Sequence, residues 1–574
     1  MLRRFIAPSL AALLLAGCAT PQADTQIKSV PRASGQVFEG AVSAADPRAQ
    51  AAGEEILAQG GSATDAAIAV MLALTVVEPQ SSGIGGGGFY VRGAPDGTVE
   101  TIDGREKAPA AATPDWFYID GELPGFRESV ASGLSVGVPG NIALAAQAFE
   151  RHGTLDWATL FEPAIRLARD GFEVNPRLNS MLTDSAGQAG RTEAARAVFY
   201  DTSGAALPVG ATVRNEALAR TLDAIAKAGP EAFYRGPIAG DIARTVAADT
   251  PRPQAMTLAD IEAYEAKERD AICRPYRAYR VCTMGPPTSG GIAVLQILGM
   301  LERFDLRSMG VENPQTWQLF LEAQRLAYAD RELYAADSDF VDVPVEGLLD
   351  DAYLASRSVL ILLGKAAATV DPGRPQGAPM ALADGDEPEE RGTSHFAVVD
   401  GSGTMISYTS TIESAFGSGL FVSGFFLNNE LTDFSRSPEI DGVPVANRVE
   451  GGKRPRSSMS PVIVYDPSGR PFMAVGAAGG STIPVQTTRS IVGVIDFGLG
   501  ATEALGLPFT MASGDRLLLE EGTWLADAAD TFRAYGYQNV AVRSAPLKAG
   551  MVLRTADGWI SARDPRLEAM LILP

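Results

Sequence analysis

Two histidines, His152 and His395, and three cysteines, Cys18, Cys273 and Cys282, are all that 574 residues offer of the side chains most used as zinc ligands or as a thiol–imidazole pair. Neither a zinc site nor such a pair is easily assembled from so few. Catalysis therefore falls to a hydroxyl, an amine or carboxylates. One place brings the first two together. Gly392 ends a stretch rich in Gly, Pro, Ala and acidic residues, and Thr393-Ser394-His395-Phe396 opens a strand-like run. If the chain breaks between Gly392 and Thr393, Thr393 presents a hydroxyl beside its own α-amine. An α-amine with a pKa of ~7.7–8.0 is a competent base near neutral pH. Taken alone, a threonine after a glycine is also what an ordinary strand start looks like.

The composition describes a folded globular chain: 46% hydrophobic, 7% aromatic and 20% charged, with 60 Gly and 37 Pro. Its length predicts several domains or one large fused one. Lys+Arg 48 against Asp+Glu 69 leaves −21, which excludes a surface that tracks nucleic-acid phosphates. Arg3 and Arg4 precede an apolar run too short for a ~20-residue membrane span, and the run ends in Leu15-Ala16-Gly17-Cys18. This looks like a bacterial lipobox. The likeness implies a signal peptide over 1–17, a lipid on Cys18 and a Pro/Ser/Gln tether over 18–36, with an ordinary cleaved signal as the alternative.

Two motifs fail on context. Gly83, Gly85 and Gly88 have dinucleotide-loop spacing, but a helix precedes them and a strand follows, the reverse of what that loop needs. Close backbone packing at a buried turn explains them better. Gly133-Leu134-Ser135-Val136-Gly137 has nucleophile-elbow spacing, but Val138-Pro139-Gly140 intervenes before the next helix. Cys273 and Cys282 flank a strand or hairpin pattern. Outside the cytosol they can pair, or they can be two small core residues, since a nine-residue spacing fixes no geometry.

Helical periodicity covers about 47–76, broken at Gly60-Gly61-Ser62 with Ser62 placed as a cap, then 155–169, 213–228, 237–247, 258–266, 291–304 and 313–335. The first two-thirds thus read as largely helical. Residues 364–392, with the acidic run Asp384, Asp386, Glu387, Glu389 and Glu390, read as a long exposed loop. Strand patterns follow at 393–399, 404–411, 420–427, 462–465 and 472–475, then helices near 485–496 and 526–535.

A set of ordered blocks resembles the gamma-glutamyltransferase family of N-terminal-nucleophile hydrolases over about residues 36 to 564. Before the boundary they are Val77-Glu78-Pro79-Gln80-Ser81-Ser82-Gly83-Ile84-Gly85-Gly86-Gly87-Gly88-Phe89, Asp103-Gly104-Arg105-Glu106-Lys107-Ala108-Pro109, Pro286-Pro287-Thr288-Ser289-Gly290-Gly291 and Ala327-Tyr328-Ala329-Asp330-Arg331. After it come Thr393-Ser394-His395-Phe396, Leu427-Asn428-Asn429-Glu430, Asp433-Phe434-Ser435, Lys453-Arg454-Pro455-Arg456-Ser457-Ser458-Met459-Ser460-Pro461 and Gly476-Ala477-Ala478-Gly479-Gly480-Ser481. The resemblance implies an α/β (α+β) fold, a four-layer αββα sandwich. It implies self-cleavage at Gly392/Thr393 into a large segment 37–392 and a small segment 393–574 that stay together as a heterodimer.

The same resemblance implies roles. Thr393 is similar to the nucleophile, Thr411 to the hydroxyl that orients it, and Gly479 and Gly480 to the oxyanion hole. Arg105, Ser457 and Ser458 look like the clamp on a substrate α-carboxylate. Glu430 and Asp433 resemble the receptors of its α-ammonium, and Glu413 stands where glutathione-cleaving members usually place an amide. The stretch 435–456, where lid-bearing members carry an aromatic gate, has no Phe, Tyr or Trp. His395 reads as a packed structural residue and His152 as a helix-end residue.

The expected activity is cleavage of gamma-glutamyl amides in glutathione-like donors, without strict glutathione specificity, and transfer to water or to amino-acid or peptide amines. No cofactor and no metal are implied, and no nucleic acid. Contact with a membrane is expected only through the lipid anchor, on the periplasmic side of a bacterial envelope. The alternatives are a glutaryl- or cephalosporin-acylase-like amidohydrolase of the same fold, and an inactive envelope-binding lipoprotein.

Overall fold

Ser62 caps as its position predicts. In the computed structural model its side chain accepts from the Asp65 amide while the Asp65 carboxylate accepts from the Ser62 amide, which starts the Ala63–Val77 helix after Pro47–Ala58. Every residue of Ala63–Val77 is buried, in keeping with a sequence apolar on all sides. The structure describes Met1 and residues 40–251, 256–380, 382, 383, 385, 392–545 and 547–573. Residues 2–17 of the leader, the whole 18–36 tether with Cys18, and the acidic residues at 384, 386, 387, 389 and 390 lie outside the described residues.

Two antiparallel six-stranded sheets form the centre. One runs Ala41–Ala44, Gly392–Val399, Met405–Glu413, Gly87–Gly93, Val99–Gly104, Lys267–Arg269. The other runs Gly558–Arg563, Lys548–Thr555, Pro471–Ala478, Val462–Tyr465, Tyr279–Thr283, Ile272–Tyr276. Both sheets mix strands from either side of Gly392.

The period-2 alternation of a strand explains the layering. Phe396 and Val398 join a core with the helices Ala63–Val77, Asn141–His152 and Glu216–Ala228, while Ala397 and Val399 join a core with the second sheet and the helices Gly290–Leu301 and Pro314–Tyr334. The order is helices, sheet, sheet, helices, the expected αββα sandwich. All eight residues of Gly392–Val399 are buried because both faces are covered. Thr393 and His395 share the parity of Ala397 and so face the second sheet.

Several expectations need correction. The largely helical first two-thirds also supplies six of the twelve strands of the central sheets, all short, and in Ala41–Ala44 and Gly87–Gly93 burial on both faces masks the alternation. The 420–427 strand is instead a small hairpin, Phe421–Val422 with Phe425–Phe426, because Ser423 and Gly424 both take positive φ, 50° and 94°. The 364–392 loop is partly fastened: Ala367 N–H donates to Glu322 at 2.8 Å and Gly373 N–H to Asp330 at 2.7 Å.

The dinucleotide-like run indeed joins a helix to a strand. A Cβ at Gly86 would lie 2.0 Å from the Thr411 carbonyl oxygen, so the run is a close backbone contact. Ser135 is no elbow nucleophile, since its hydroxyl is spent on the Val130 and Ser132 carbonyls at 2.8 and 2.7 Å. Cys273 and Cys282 stand directly opposite on neighbouring strands with Cα atoms 4.1 Å apart and form a disulfide.

Candidate active site

Thr393 and Thr411 are register partners on adjacent strands, and a bulge after Thr411 places Glu413 opposite Gly392. The bulge turns the Thr411 hydroxyl onto the Gly392–Thr393 peptide: its Oγ1 donates to the Gly392 carbonyl oxygen at 2.6 Å. The Glu413 amide donates to the same Oγ1 at 2.8 Å, which polarises it as a donor. Thr393 Oγ1 lies 3.4 Å from Thr411 Oγ1. A Cβ at position 392 would fall 2.2 Å from the Glu413 carbonyl oxygen, so only glycine permits this approach.

The second sheet supplies the opposite wall. Pro471–Ala478 ends at Gly479 and Gly480, whose φ values of 124° and 57° suit glycine and turn the chain into the Ile483–Ile495 helix. Ala478 pairs with Lys548, whose Nζ donates to the Thr393 carbonyl at 2.9 Å, so the glycine turn sits at the level of Thr393. His395 lies one step further along the strand. Its Nδ1 meets Thr409 Oγ1 at 2.9 Å and its ring fills the space beside Gly476, where a Cβ would lie 2.4 Å away. Burial pushes its pKa down to about 3, so the ring is neutral packing. His152 ends its helix against Glu100 at 2.9 Å, remote in sequence and in layer from Thr393.

The remaining predicted residues gather around Arg105. Its guanidinium pairs with Glu430 and Asp433, and it donates to the carbonyls of Pro455 at 3.2 Å and Arg456 at 2.8 Å, directly ahead of Ser457 and Ser458. Ser458 Oγ accepts from Arg331 at 2.7 Å, and the Ser457 carbonyl accepts from Ser289 Oγ at 2.6 Å. Glu413 Oε2 accepts from the Asn429 amide group. Arg105 thus holds the two acids expected to hold an ammonium, rather than standing open for a carboxylate. The reason is electrostatic: a buried guanidinium without a partner is costly.

Glu106, Glu413 and Glu430 are fully buried beside Asp433, and desolvation is the main cause of their shifts. Glu106 is pushed up to about 7 and Glu413 to about 8, while Glu430 lies well above the usual carboxylate range. Mutual repulsion adds to burial, and Arg105 opposes it.

Sequence reading missed Lys548, Glu106, and Glu78 with Arg177. The Glu78 carboxylate accepts from Ser394 Oγ at 2.7 Å and pairs with Arg177. A lysine ahead of the apolar run Ala549–Leu553 is the only signal for the first.

This geometry has known counterparts. The gamma-glutamyltranspeptidase family model matches residues 49–572. The chain is 37% identical to the glutathione hydrolase proenzyme of Escherichia coli (strain K12) over 92% of its length and 90% of that protein. It is 38% identical to the protein of that name from Bacillus subtilis (strain 168), covering 82% of this chain and 80% of the relative. The solved cephalosporin acylase from Bacillus halodurans superposes with a TM-score of 0.80 at 27% identity, over 94% of this chain and 97% of that one. On this ground the chain belongs to the gamma-glutamyltranspeptidase family.

Proposed function

We propose that the protein is a self-processing enzyme that cleaves gamma-glutamyl amide bonds and passes the acyl group to water or to an amine. The observation that carries this reading is the Thr411 hydroxyl on the Gly392 carbonyl at 2.6 Å, with the Thr393 hydroxyl alongside. That hydrogen bond draws electron density from the carbonyl carbon which Thr393 Oγ would attack. The C–N bond to Thr393 then breaks as the Oγ ester forms, and water hydrolyses the ester. Gly392 is left as a carboxylate and Thr393 as a free amine with a free hydroxyl.

In turnover the Thr393 α-amine takes the hydroxyl proton as Oγ attacks a donor carbonyl, and returns it to the leaving amine. The Gly479 and Gly480 amides stabilise the oxyanion. An amino-acid head group would exchange partners with the resting ion pairs: its α-carboxylate goes to Arg105, helped by Ser457 and Ser458, and its α-ammonium goes to Asp433, Glu430 and Glu413. The two segments remain a heterodimer because both sheets draw strands from each. The lipobox-like Leu15-Ala16-Gly17-Cys18 supports a lipid-anchored protein of the bacterial envelope.

A second reading, an acylase for glutaryl-type donors, is favoured by the likeness to the Bacillus halodurans cephalosporin acylase. The test is turnover of matched gamma-glutamyl and glutaryl anilides by the cleaved protein, with and without a dipeptide acceptor. Inertness toward both overturns the proposal, and a preference for the glutaryl compound hands it to the second reading.

A further inference from the structure

Lys548 opens the Lys548–Thr555 strand of the second sheet, yet its side chain crosses to the first. Its Nζ donates to the Thr393 carbonyl at 2.9 Å in a buried setting. Its backbone points the other way. The Lys548 amide donates to Gln486 Oε1 at 3.1 Å, and Gln486 Nε2 donates to the Ala478 carbonyl at 2.9 Å and to Thr482 Oγ1 at 2.8 Å. Thr482 Oγ1 in turn donates to the Gly479 carbonyl at 2.7 Å. One residue therefore touches the nucleophile with its side chain and the Gly479–Gly480 turn through Gln486.

From this we infer that Lys548 is a positioning residue, which with Gln486 fixes the distance between Thr393 and the Gly479–Gly480 amides. Such a brace already sets Thr393 in the uncleaved chain, where Lys548 Nζ reaches its carbonyl, and it becomes more necessary with cleavage. Before it, Thr393 is held on both sides by the chain. Afterwards it is a terminus, and terminal residues fray unless tied down. The ladder to Thr411 belongs to the same sheet and cannot fix Thr393 against the opposite one. Lys548 is the cross-sheet tie, gripping the carbonyl side that cleavage leaves intact.

An apolar residue would pack here at lower cost, which argues against a role in folding alone. Burial holds the Lys548 amine well below its ordinary pKa, and Arg177, the charge that bears on it, has the same sign. A neutral amine still donates one hydrogen bond, all the brace requires.

The inference rests on the assignment of Thr393 as nucleophile, and the experiment separates the two. Lys548→Met keeps length and loses the donor, and Lys548→Gln retains an N–H donor on a shorter arm. In the cleaved wild type and both variants, kcat and KM are measured for gamma-glutamyl and glutaryl anilides, together with Tm. The rate of self-cleavage of the purified precursor is measured in parallel and needs no substrate. A misplaced reacting group costs up to ~100-fold, so Lys548→Met should lower kcat at least about tenfold with KM within about twofold, and slow self-cleavage at least about threefold. Its Tm should equal or exceed that of wild type. Lys548→Gln should fall between the two.

A lower Tm in Lys548→Met with kcat and cleavage within about twofold of wild type would make the lysine a packing residue and overturn the inference. If wild type cleaves itself but turns over neither anilide, the substrate reading fails, and the cleavage rates alone decide the role of Lys548. A wild-type chain that does neither overturns both.

Discussion

The carboxylate of Glu413 accepts a hydrogen bond from the side-chain amide of Asn429, sixteen residues later, and its other oxygen, Oε1, is buried with no hydrogen-bond partner. Half of this carboxyl is satisfied and half faces the cluster of Glu430, Asp433 and Arg105. Such a group is held protonated by its surroundings, and its pKa of about 8 follows from burial first and from the Asp433 charge second. Glu106 is raised to about 7, by burial first, against the opposing charge of Arg105.

The pH dependence of stability follows from the sign of these shifts. A carboxyl whose pKa is higher folded than unfolded binds more protons in the native state between the two values. Its stabilising contribution is complete below about 4.5 and is lost as pH rises through about 8. Glu413→Gln removes that loss while keeping an acceptor for Asn429. The Tm difference, variant minus wild type, should therefore grow steadily from pH 5 to pH 8. A difference that is flat or shrinks over this range would show that Glu413 is already ionised at pH 5.

Cleavage at Gly392/Thr393 should yield a small fragment beginning at Thr393, read by a denaturing gel with N-terminal sequencing. Thr393→Ala should remain a single chain. Thr411→Val removes the donor to the Gly392 carbonyl, and losing an oxyanion-type donor costs ~2.7–4 kcal/mol of barrier, so its cleavage should slow by ~10²–10³-fold. Cutting of Thr393→Ala at the same bond would mean that a separate protease does the work.

Substituting Arg105 or Asp433 should leave cleavage of the precursor intact, since neither hydrogen-bonds the Gly392–Thr393 peptide. Each would hold one end of the proposed head group, and the two form a buried ion pair. Truncating one partner of such a pair costs ~2–5 kcal/mol, so kcat/KM for a gamma-glutamyl anilide should fall at least tenfold, through KM. Unchanged kcat/KM in both Arg105→Gln and Asp433→Asn would remove the two from the site.

Local devices were the legible part of this sequence. The Ser62 cap, the helix–strand order around Gly83 and the strand beginning at Thr393 depend on neighbours within a few residues. The disulfide did not read through because register decides it. Arg277 and Ala278 both take positive φ, 49° and 72°, making a two-residue turn that no glycine or asparagine announces. Ser423-Gly424 is the opposite case, a turn signal present in the sequence and passed over. The contacts of Lys548 with Thr393 and of Ser394 with Glu78 join residues 155 and 316 positions apart. Nothing in periodicity or spacing encodes them.

On the proposed function, substrate choice should turn on Glu413. A donor with an α-ammonium brings a positive charge to Glu413, Glu430 and Asp433, where Arg105 is the paired cation, and so gains Coulomb energy as the carboxyls ionise around it. A glutaryl donor has the same chain without that charge. It would draw Arg105 toward its own carboxylate and leave the acids repelling one another or protonated. Wild type should therefore have a higher kcat/KM for a gamma-glutamyl anilide than for the matched glutaryl anilide. The advantage should shrink in Glu413→Gln, which keeps the Asn429 contact and loses the charge, with self-cleavage unchanged. Glu413→Asn should narrow the preference toward glutathione-like donors. Because capture by Glu413 requires its proton to leave, the advantage in wild type should also rise with pH toward about 8, and this rise should be absent from Glu413→Gln. A wild type that prefers the glutaryl anilide at every pH would place this chain with the acylases of its family.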